Sequence, residues 1–266
     1  PPPPPPPPPP PSPPPPPRPP PPPPPLRGPP RRATPETEAT MSDVQRYAAY
    51  YLPDNAALAG FGAAWLGWDV ERGLPVSPLD VNQIDLAAVT ATPRKYGFHG
   101  TLKAPFRLAE GCTEDDLFDA CATLAATQPP VQLSGLKVAA LGHFLALIPD
   151  GDTTDLAALA ARCVTQLDPL RAPLTEADLA RRRKSPLTPR QDENLVAWGY
   201  PYIFEDFRFH LTLSGRLDPE ALDAVKEVAE AHLPELPRPY MIRSISIVGE
   251  GSDGMFRNLK RFALTG

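Results

Sequence analysis

The sequence has few of the residues that mark disulfide-stabilised, metal-binding or membrane-embedded proteins. Its 266 residues include three cysteines, Cys112, Cys121 and Cys163, and no two of them have the CxxC spacing. This odd number argues against a disulfide framework or a zinc site and favours free thiols in a reducing compartment. No apolar run approaches the roughly 20 residues of a membrane span, and no signal peptide precedes Met41. We therefore expect a cytoplasmic protein with no membrane partner.

Proline is abundant, but it is concentrated at one end of the chain. Residues 1–25 are proline except for Ser12 and Arg18. Because proline fixes φ and lacks a backbone donor, this run is expected to form an extended polyproline II rod. Met41 resembles an ordinary translation start, so we interpret residues 1–40 as a proline-rich disordered extension, either upstream of the true start or created by a mis-assigned one. A ligand for a profilin, SH3 or WW module is the alternative.

The remaining residues, 41–266, are numerous enough for one domain with a substantial core. Without the charged residues of the extension, they carry 22 Lys/Arg and 29 Asp/Glu, a net charge of −7. Such an acidic chain is not expected to bind long nucleic acid over its whole surface, although a local basic pocket could hold a small anion or a short RNA end. We expect a monomer that acts on a small phosphorylated substrate.

The apolar and turn patterns occur twice along the chain, which indicates an internal duplication. Each half is predicted as strand, helix, strand, helix, strand: 46–52, 55–65, 99–108, 113–126 and 131–140 in the first, then 143–148, 153–167, 210–217, 218–232 and 240–248 in the second, with a last strand at 256–264. We therefore predict a single bilobal α+β domain with pseudo-two-fold symmetry, in which two mainly antiparallel sheets flanked by helices enclose a central cleft. Repeat one covers about 46–140 and repeat two about 143–264.

A polar insert at about 171–198 interrupts the second repeat. Residues 175–183 and 188–198 each begin with a capping threonine and are predicted to be helices, which makes the insert a helical hairpin. It contains the basic run Arg181–Lys184. Two interpretations stay open: a solvated surface excursion, or a lid whose basic residues hold a distal phosphate or select the substrate.

One motif, His-x-Thr-Leu, occurs at corresponding positions of both repeats, at His99 and at His210. Side chains at i and i+2 of a strand share a face, so His99 and Thr101 should emerge together, as should His210 and Thr212. A role in core packing would favour apolar residues at both places. The duplication therefore favours a shared functional site.

Two histidines and two threonines fit the chemistry of phosphodiester hydrolysis. One imidazole can act as general base and the other as general acid, while Thr101 and Thr212 bind the non-bridging oxygens. We expect no cofactor and no metal, because the sequence contains neither HxH nor HExxH. The symmetry leaves open which histidine is the acid. The other histidines, His143 and His232, stand alone and are expected to be structural or exposed.

Further substrate-binding candidates lie beside the two motifs. Lys103 follows Thr101 by two residues and should share its face, where it could neutralise a phosphate. Arg94, Tyr96 and Tyr202, together with Tyr200, precede the motif strands and could line the cleft or simply pack there. The glycines of residues 249–254 lie between two predicted strands and indicate a hairpin turn rather than a phosphate loop.

Residues 93–106, 180–183 and 199–213, which contain both motifs, resemble the two-histidine (2H) phosphoesterase superfamily, which includes the LigT-like RNA 2′,3′-cyclic phosphodiesterases. They are most similar to the branch whose genes accompany bacterial phosphonate-degradation operons. The resemblance covers nearly all of 41–266. It implies a bilobal fold and hydrolysis of a cyclic phosphodiester, with a phosphorylated ribose cyclic phosphate as the substrate. An RNA 2′,3′-cyclic end, or a non-catalytic phosphate- or nucleotide-binding module, are the alternatives.

Overall fold

The computed structural model describes residues 44–266, so the proline-rich extension predicted for residues 1–40 lies outside the described residues. The helices of this part are α1 (Ala56–Leu66), α2 (Leu86–Thr90), α3 (Glu114–Ala126), α4 (Thr154–Leu167), α5 (Glu176–Arg182), α6 (Pro189–Trp198) and α7 (Pro219–His232). The strands are β1 (Arg46–Tyr51), β2 (Trp68–Asp69), β3 (Leu74–Pro75), β4 (Gly100–Phe106), β5 (Val131–Leu133), β6 (Gly135–Leu141), β7 (Phe144–Asp150), β8 (Leu211–Thr212), β9 (Tyr240–Ile242), β10 (Ser244–Glu250) and β11 (Phe256–Ala263). This arrangement is an α+β fold, as predicted.

The two expected sheets meet edge to edge and form one antiparallel sheet with the order β11-β10-β1-β4-β8-β7-β6. The junction is narrow, because β4 and β8 pair only through Gly100 and Leu211. Two small sheets, β2-β3 and β5-β9, complete the pairing among the described strands. The two halves of the large sheet therefore converge on the residues that directly follow His99 and His210.

The large sheet is pseudo-symmetric about the β4–β8 junction, with strand exchange between the halves. Its equivalent strands are β4 and β8, β1 and β7, and β10 and β6. The last part of repeat one, β6, pairs with β7 of repeat two, and β10 of repeat two pairs with β1 of repeat one. The predicted strands 131–140 and 240–248 are each divided in two, at Ser134 and Arg243, and their first parts pair as β5 and β9. Each half of the sheet thus contains strands from both repeats.

Side chains of β1 alternate between two hydrophobic clusters. Ala49 and Tyr51 face the larger cluster, to which α1, α3, α4 and α7 contribute apolar side chains. Tyr50 faces the other side of the sheet, together with Trp68 and Phe256. The helices therefore cover one face, and the opposite face of β1 is available to form a cleft.

Capping residues define where the helices begin. Asn55, Thr113, Thr175, Thr188 and Asp218 each accept a hydrogen bond from a backbone N–H in the first turn. Two helices, α5 and α6, lie in the predicted insert, and both begin with a complete capping box.

The predicted strand at 210–217 is much shorter in the structure than in the prediction. After Thr212, the hydroxyl of Ser214 accepts a hydrogen bond from the backbone N–H of Leu145, and the Ser214 N–H donates to the Leu145 carbonyl. A side chain thereby replaces a strand–strand hydrogen bond, so the ladder ends.

All three cysteines are free, with Cys121 and Cys163 buried. Within residues 44–266, no helix has the length and apolar character needed to cross a bilayer.

Candidate active site

Both motif histidines lie one residue before the central strands of the sheet. Gly100, which follows His99, pairs with Leu211, which follows His210. This single pair sets the two His-x-Thr motifs side by side across the pseudo-symmetry axis. The close approach also explains the glycine, because a Cβ at Gly100 would lie 2.4 Å from the ring of Phe209, the residue before His210.

The two imidazoles are held in the same way. The Nδ1 of His99 is 2.9 Å from the carbonyl oxygen of Gly97, and the Nδ1 of His210 is 2.7 Å from that of Arg208. A carbonyl only accepts hydrogen bonds, so each Nδ1 must carry the hydrogen and donate it. In the neutral form, Nε2 of each ring is then the nitrogen with the free lone pair, which is the atom that a general base requires.

His99 is half-buried, with Tyr50 and Thr101 as neighbours. Its ring stacks on that of Tyr50 at a centroid distance of 3.8 Å, and its Nε2 is 3.1 Å from the hydroxyl oxygen of Thr101, which donates to it. Burial, together with the nearby His210, lowers the pKa of His99 to about 4, against the opposing effect of its hydrogen bond to the Gly97 carbonyl. His99 is therefore neutral near pH 7.

The environment of His210 differs from that of His99. Its ring lies 5.5 Å from that of Phe144, in a tilted arrangement, and its bond to Arg208 is exposed to solvent. Burial lowers the pKa of His210 also, while the bond to the Arg208 carbonyl raises it. The two histidines thus share one backbone geometry but have different neighbours.

Three adjoining hollows share the four motif side chains. One, of about 350 Å³, is lined by His99, Thr101 and Thr212. A second, of about 520 Å³, contains His210 and Thr212, and a third, of about 320 Å³, contains His210 and Thr101. Each threonine lines two of these three hollows, which together are called the cleft.

Lys103 does not lie in this cleft, contrary to the sequence prediction. It is 3% exposed, and its Nζ donates to the Val164 carbonyl and pairs with Asp168. The pairing of β1 with β4 is irregular between Ala49–Lys103 and Tyr50–Thr101, and this bulge breaks the two-residue alternation. Lys103 consequently shares the helix-covered face with Ala49.

Arg94 is also placed away from the motifs. Its guanidinium donates to the carbonyls of Leu66 and Ala87 and to the hydroxyl of Thr90, so it joins the end of α1 to α2. It precedes the motif by five residues, and the single helical turn at 94–96 directs it back toward α1.

The predicted tyrosines do lie at the cleft. Tyr96 is 6.2 Å from the His99 ring and lines the same hollow. Tyr202 is 41% exposed and lines the hollow that contains Thr101 and His210, and Tyr200 lines the same hollow.

Of the remaining histidines, His232 is exposed and forms a hydrogen bond with the Val228 carbonyl. His143 is exposed at the outer edge of the His210 hollow.

Three cleft residues were not among the predicted site residues. Tyr50 stacks on His99, and Arg46 and Arg182 line the hollow that contains it. Tyr50 belongs to an aromatic-rich strand whose sequence is typical of a buried strand. Only the three-dimensional structure shows which face of the sheet its side chain occupies. Arg182 belongs to the basic run of the insert, where a phosphate-binding role had been left open.

The insert is attached firmly to the sheet. The carboxylate of Asp178, 5% exposed, pairs with Arg107 at the end of β4 and with Arg181, and completes the capping box of Thr175. Asp206 forms an ion pair with Arg190 of α6.

In the described range, no group of three His, Cys, Asp or Glu side chains is arranged to hold a metal ion.

Comparison with known proteins gives relatives of two kinds. A protein of Janthinobacterium sp. (strain Marseille) named "Ribose 1,5-bisphosphate phosphokinase PhnN" is 40% identical over 205 residues, which cover 74% of this chain and 45% of that protein. The chain spans about half the length of the curated relatives it matches.

Two solved structures are similar to the chain over most of its length. E. coli LigT complexed with 3′-AMP is 17% identical with a TM-score of 0.42, covering 84% of this chain and 100% of that one. TT0787 of Thermus thermophilus is 17% identical with a TM-score of 0.41, covering 83% of this chain and 98% of that one.

One family model covers more than half of the sequence. The family described as "Protein of unknown function (DUF1045)" matches residues 101–257, a range that contains Thr101, the insert and the whole second motif. The chain therefore belongs to the DUF1045 family.

Proposed function

We propose that the chain hydrolyses a small cyclic phosphodiester, with His99 and His210 as the acid–base pair. The observation that carries this proposal is the matched geometry of the two motifs. Each histidine donates its Nδ1 hydrogen to the carbonyl two residues earlier and leaves Nε2 for proton transfer, and both border one cleft with Thr101 and Thr212. Two such groups, one on each side of a phosphate, are what an in-line displacement requires.

In the proposed reaction, one neutral imidazole takes a proton from water through Nε2, and the resulting oxygen attacks phosphorus. The bond from phosphorus to one ring oxygen breaks, and the second histidine, protonated at Nε2, donates a proton to that leaving alkoxide. The products are a phosphomonoester and a free hydroxyl. When the substrate binds, the hydroxyl of Thr101 turns from Nε2 of His99 to the phosphate, so that Thr101 and Thr212 donate to the non-bridging oxygens, where charge accumulates in the transition state.

We assign the base to His99 and the acid to His210. With a pKa of about 4, His99 is neutral at physiological pH and ready to accept a proton. His210 lies on the more exposed side of the cleft, where its protonated form is more easily hydrated. A bound phosphate anion close to His210 favours that protonated form further, because opposite charges raise the pKa of an imidazole.

For the substrate, we propose a phosphorylated ribose cyclic phosphate formed in phosphonate catabolism. The support is the name of the relatives, which refers to ribose 1,5-bisphosphate, a compound with phosphates at two positions. The sequence has no G-x-x-x-x-G-K-S/T phosphate loop, so we assign the chain the phosphodiester step rather than transfer from a nucleoside triphosphate.

The test is a parallel assay of ribose 1,2-cyclic phosphate 5-phosphate and a nucleoside 2′,3′-cyclic phosphate, in the presence of EDTA. The proposal expects turnover of the ribose compound that the chelator does not reduce. Preference for the nucleotide would replace the substrate with an RNA end. Abolition by EDTA would contradict the metal-free mechanism. Binding without product at any enzyme concentration would indicate a non-catalytic module.

A further inference from the structure

Arg182 is a cation without a charge partner, located at the end of α5. Its Nε is buried without a hydrogen-bond partner, and no Asp or Glu of residues 44–266 pairs with its guanidinium. The guanidinium carbon lies 5.2 Å from the centre of the Tyr200 ring. Buried hydrogen-bond donors without an acceptor are rare in folded proteins. The Nε–H of Arg182 is therefore a candidate to bind an acceptor atom of a ligand.

The neighbourhood of Arg182 is strongly basic. Burial lowers the pKa of its guanidinium, and the nearby charges of Arg181 and Arg46 lower it further, while Tyr200 and Asp178 oppose this change. Arg46 already pairs with Glu250, and Arg181 already pairs with Asp178. Arg182 is therefore the one of these three arginines that has no ion pair.

Two adjoining hollows show the same excess of positive charge. Five cationic side chains line them against two acidic ones: Arg46, Lys95, Arg107, Arg181 and Arg182 against Asp178 and Glu250. This occurs in a chain whose overall net charge is −5. The two hollows that contain His210 have fewer charged groups. One is lined by Arg216, the other by Arg208 and Asp206, and both are lined by Leu141 and Phe144. The cluster of several cations therefore lies on the His99 side.

The position of Arg182 relative to the proposed catalytic groups limits what the anion can be. Arg182 lines the hollow that His99, Thr101 and Thr212 also line. An anion held there is close enough to belong to the same small molecule whose cyclic phosphate contacts the threonines. Asp178 anchors α5 to Arg107, directly after β4, so the helix that carries Arg182 is held in place before a ligand binds.

We propose that Arg182 binds a terminal phosphomonoester of the substrate, at a second anion subsite next to the His-Thr cleft. The inference rests on the proposed function and deepens it, because it assigns a residue of the chain to the second phosphate of the proposed substrate. A phosphomonoester suits the site because a planar guanidinium donates two parallel hydrogen bonds to phosphate oxygens. A neutral sugar at this place would leave the charge of Arg182 unpaired.

The experiment compares kcat/KM for ribose 1,2-cyclic phosphate with and without a 5-phosphate. The variants are Arg182→Met, which keeps the aliphatic stem, Arg182→Lys, and the control Arg183→Met. Arg183 is exposed and pairs with Asp192. We expect the wild-type preference for the 5-phosphorylated compound to fall about 10- to 100-fold in Arg182→Met, since a charge-assisted hydrogen bond is lost. Arg182→Lys should recover part of that preference, and Arg183→Met should keep it.

A second measurement separates this inference from the proposed function. Isothermal titration of the full chain with ribose 5-phosphate, which has a monoester and no cyclic phosphate, requires no turnover. Binding that weakens about tenfold or more in Arg182→Met and persists in Arg183→Met supports the subsite even if neither cyclic compound is hydrolysed. The subsite is refuted if both cyclic compounds react equally well, if Arg182→Met slows them equally, or if ribose 5-phosphate binds no differently to that variant.

Discussion

At the scale of single residues, the site depends on the tautomer and the protonation state of two imidazoles. The carbonyls of Gly97 and Arg208 fix Nδ1 of each ring as a hydrogen-bond donor. Nε2 is therefore the nitrogen left for proton transfer. The surroundings then distinguish the two rings, because His99 stacks on Tyr50 and accepts a hydrogen bond from Thr101. One duplicated motif can thereby perform two different proton transfers.

Replacing Tyr50 is expected to shift the pH dependence of the reaction. Burial against Tyr50 contributes to the pKa of about 4 at His99, so Tyr50→Ala, which admits water, should raise this pKa toward 6.5. A base is inactive when protonated, so the acidic limb of kcat/KM should move to higher pH, by up to about two units.

The matched control is Tyr50→Phe, which keeps the stacked ring and should leave the acidic limb where it is. The Tyr50→Ala change removes a buried ring at a cost of about 3–5 kcal/mol of folding free energy, so the profile is recorded below the melting temperature measured by circular dichroism. A limb that does not move in Tyr50→Ala, or that moves equally in Tyr50→Phe, would argue against His99 as the base.

At the scale of elements, the insert contributes α5 and α6, and Arg182 of α5 lines the hollow that contains His99. Helix α5 is too short to be stable alone, and its place is set by Asp178, which contacts Thr175, Arg107 and Arg181. The same anchor aligns Arg182 with the cleft. We therefore expect the insert to form a fixed wall of the proposed site.

Removing this anchor should weaken substrate binding more than it slows chemistry. Asp178→Asn loses both ion pairs and weakens the cap, so α5 can shift and Arg181 and Arg182 lose their alignment. We expect KM for the 5-phosphorylated ribose cyclic phosphate to rise about tenfold, the effect of 1–2 kcal/mol of binding energy, while kcat changes less.

Asp192→Asn is the comparison for this change. Asp192 belongs to the same insert and forms an exposed ion pair with Arg183, a kind of contact that contributes little to stability. Its KM should stay within about twofold of wild type. An Asp178→Asn variant with normal KM would show that the insert does not align the cleft.

Sequence patterns predicted the helices well. They failed for side-chain directions that depend on how a strand pairs with its neighbour. The helices after Asn55, Thr113 and Asp218 were predicted because caps and apolar spacing are local signals. The direction of Lys103 was wrong because a bulge is a property of two paired strands. Tyr50 was missed for a similar reason, since alternation alone does not tell which face borders a cleft.

At the scale of the whole molecule, strand exchange ties the two repeats together. Each half of the sheet contains strands from both repeats. In addition, β5 of repeat one pairs with β9 of repeat two. The repeated pattern in the sequence revealed the duplication and the matching strands. It contained nothing about the exchange, because identical local patterns fit pairing within a repeat or between repeats.

The exchange predicts that residues 44–266 unfold as one cooperative unit. Leu133 is buried in β5, so Leu133→Ala should lower the free energy of unfolding by about 2–5 kcal/mol. Urea curves followed by tryptophan fluorescence and by far-UV circular dichroism should coincide before and after the change. Val196→Ala, at an exposed position, is the control with little effect. Two separate transitions, one for each repeat, would be incompatible with the exchanged topology.

The central claim is that both motifs act on one phosphate, and a double-mutant cycle tests it most directly. The measurement is kcat/KM for the 5-phosphorylated ribose cyclic phosphate with His99→Ala, His210→Ala and the double variant. Each single change should lower it about 100-fold or more, and the double variant should lie within about tenfold of the slower single one, because acid and base serve the same step. Losses that multiply, or a histidine whose removal has no effect, would contradict a shared site.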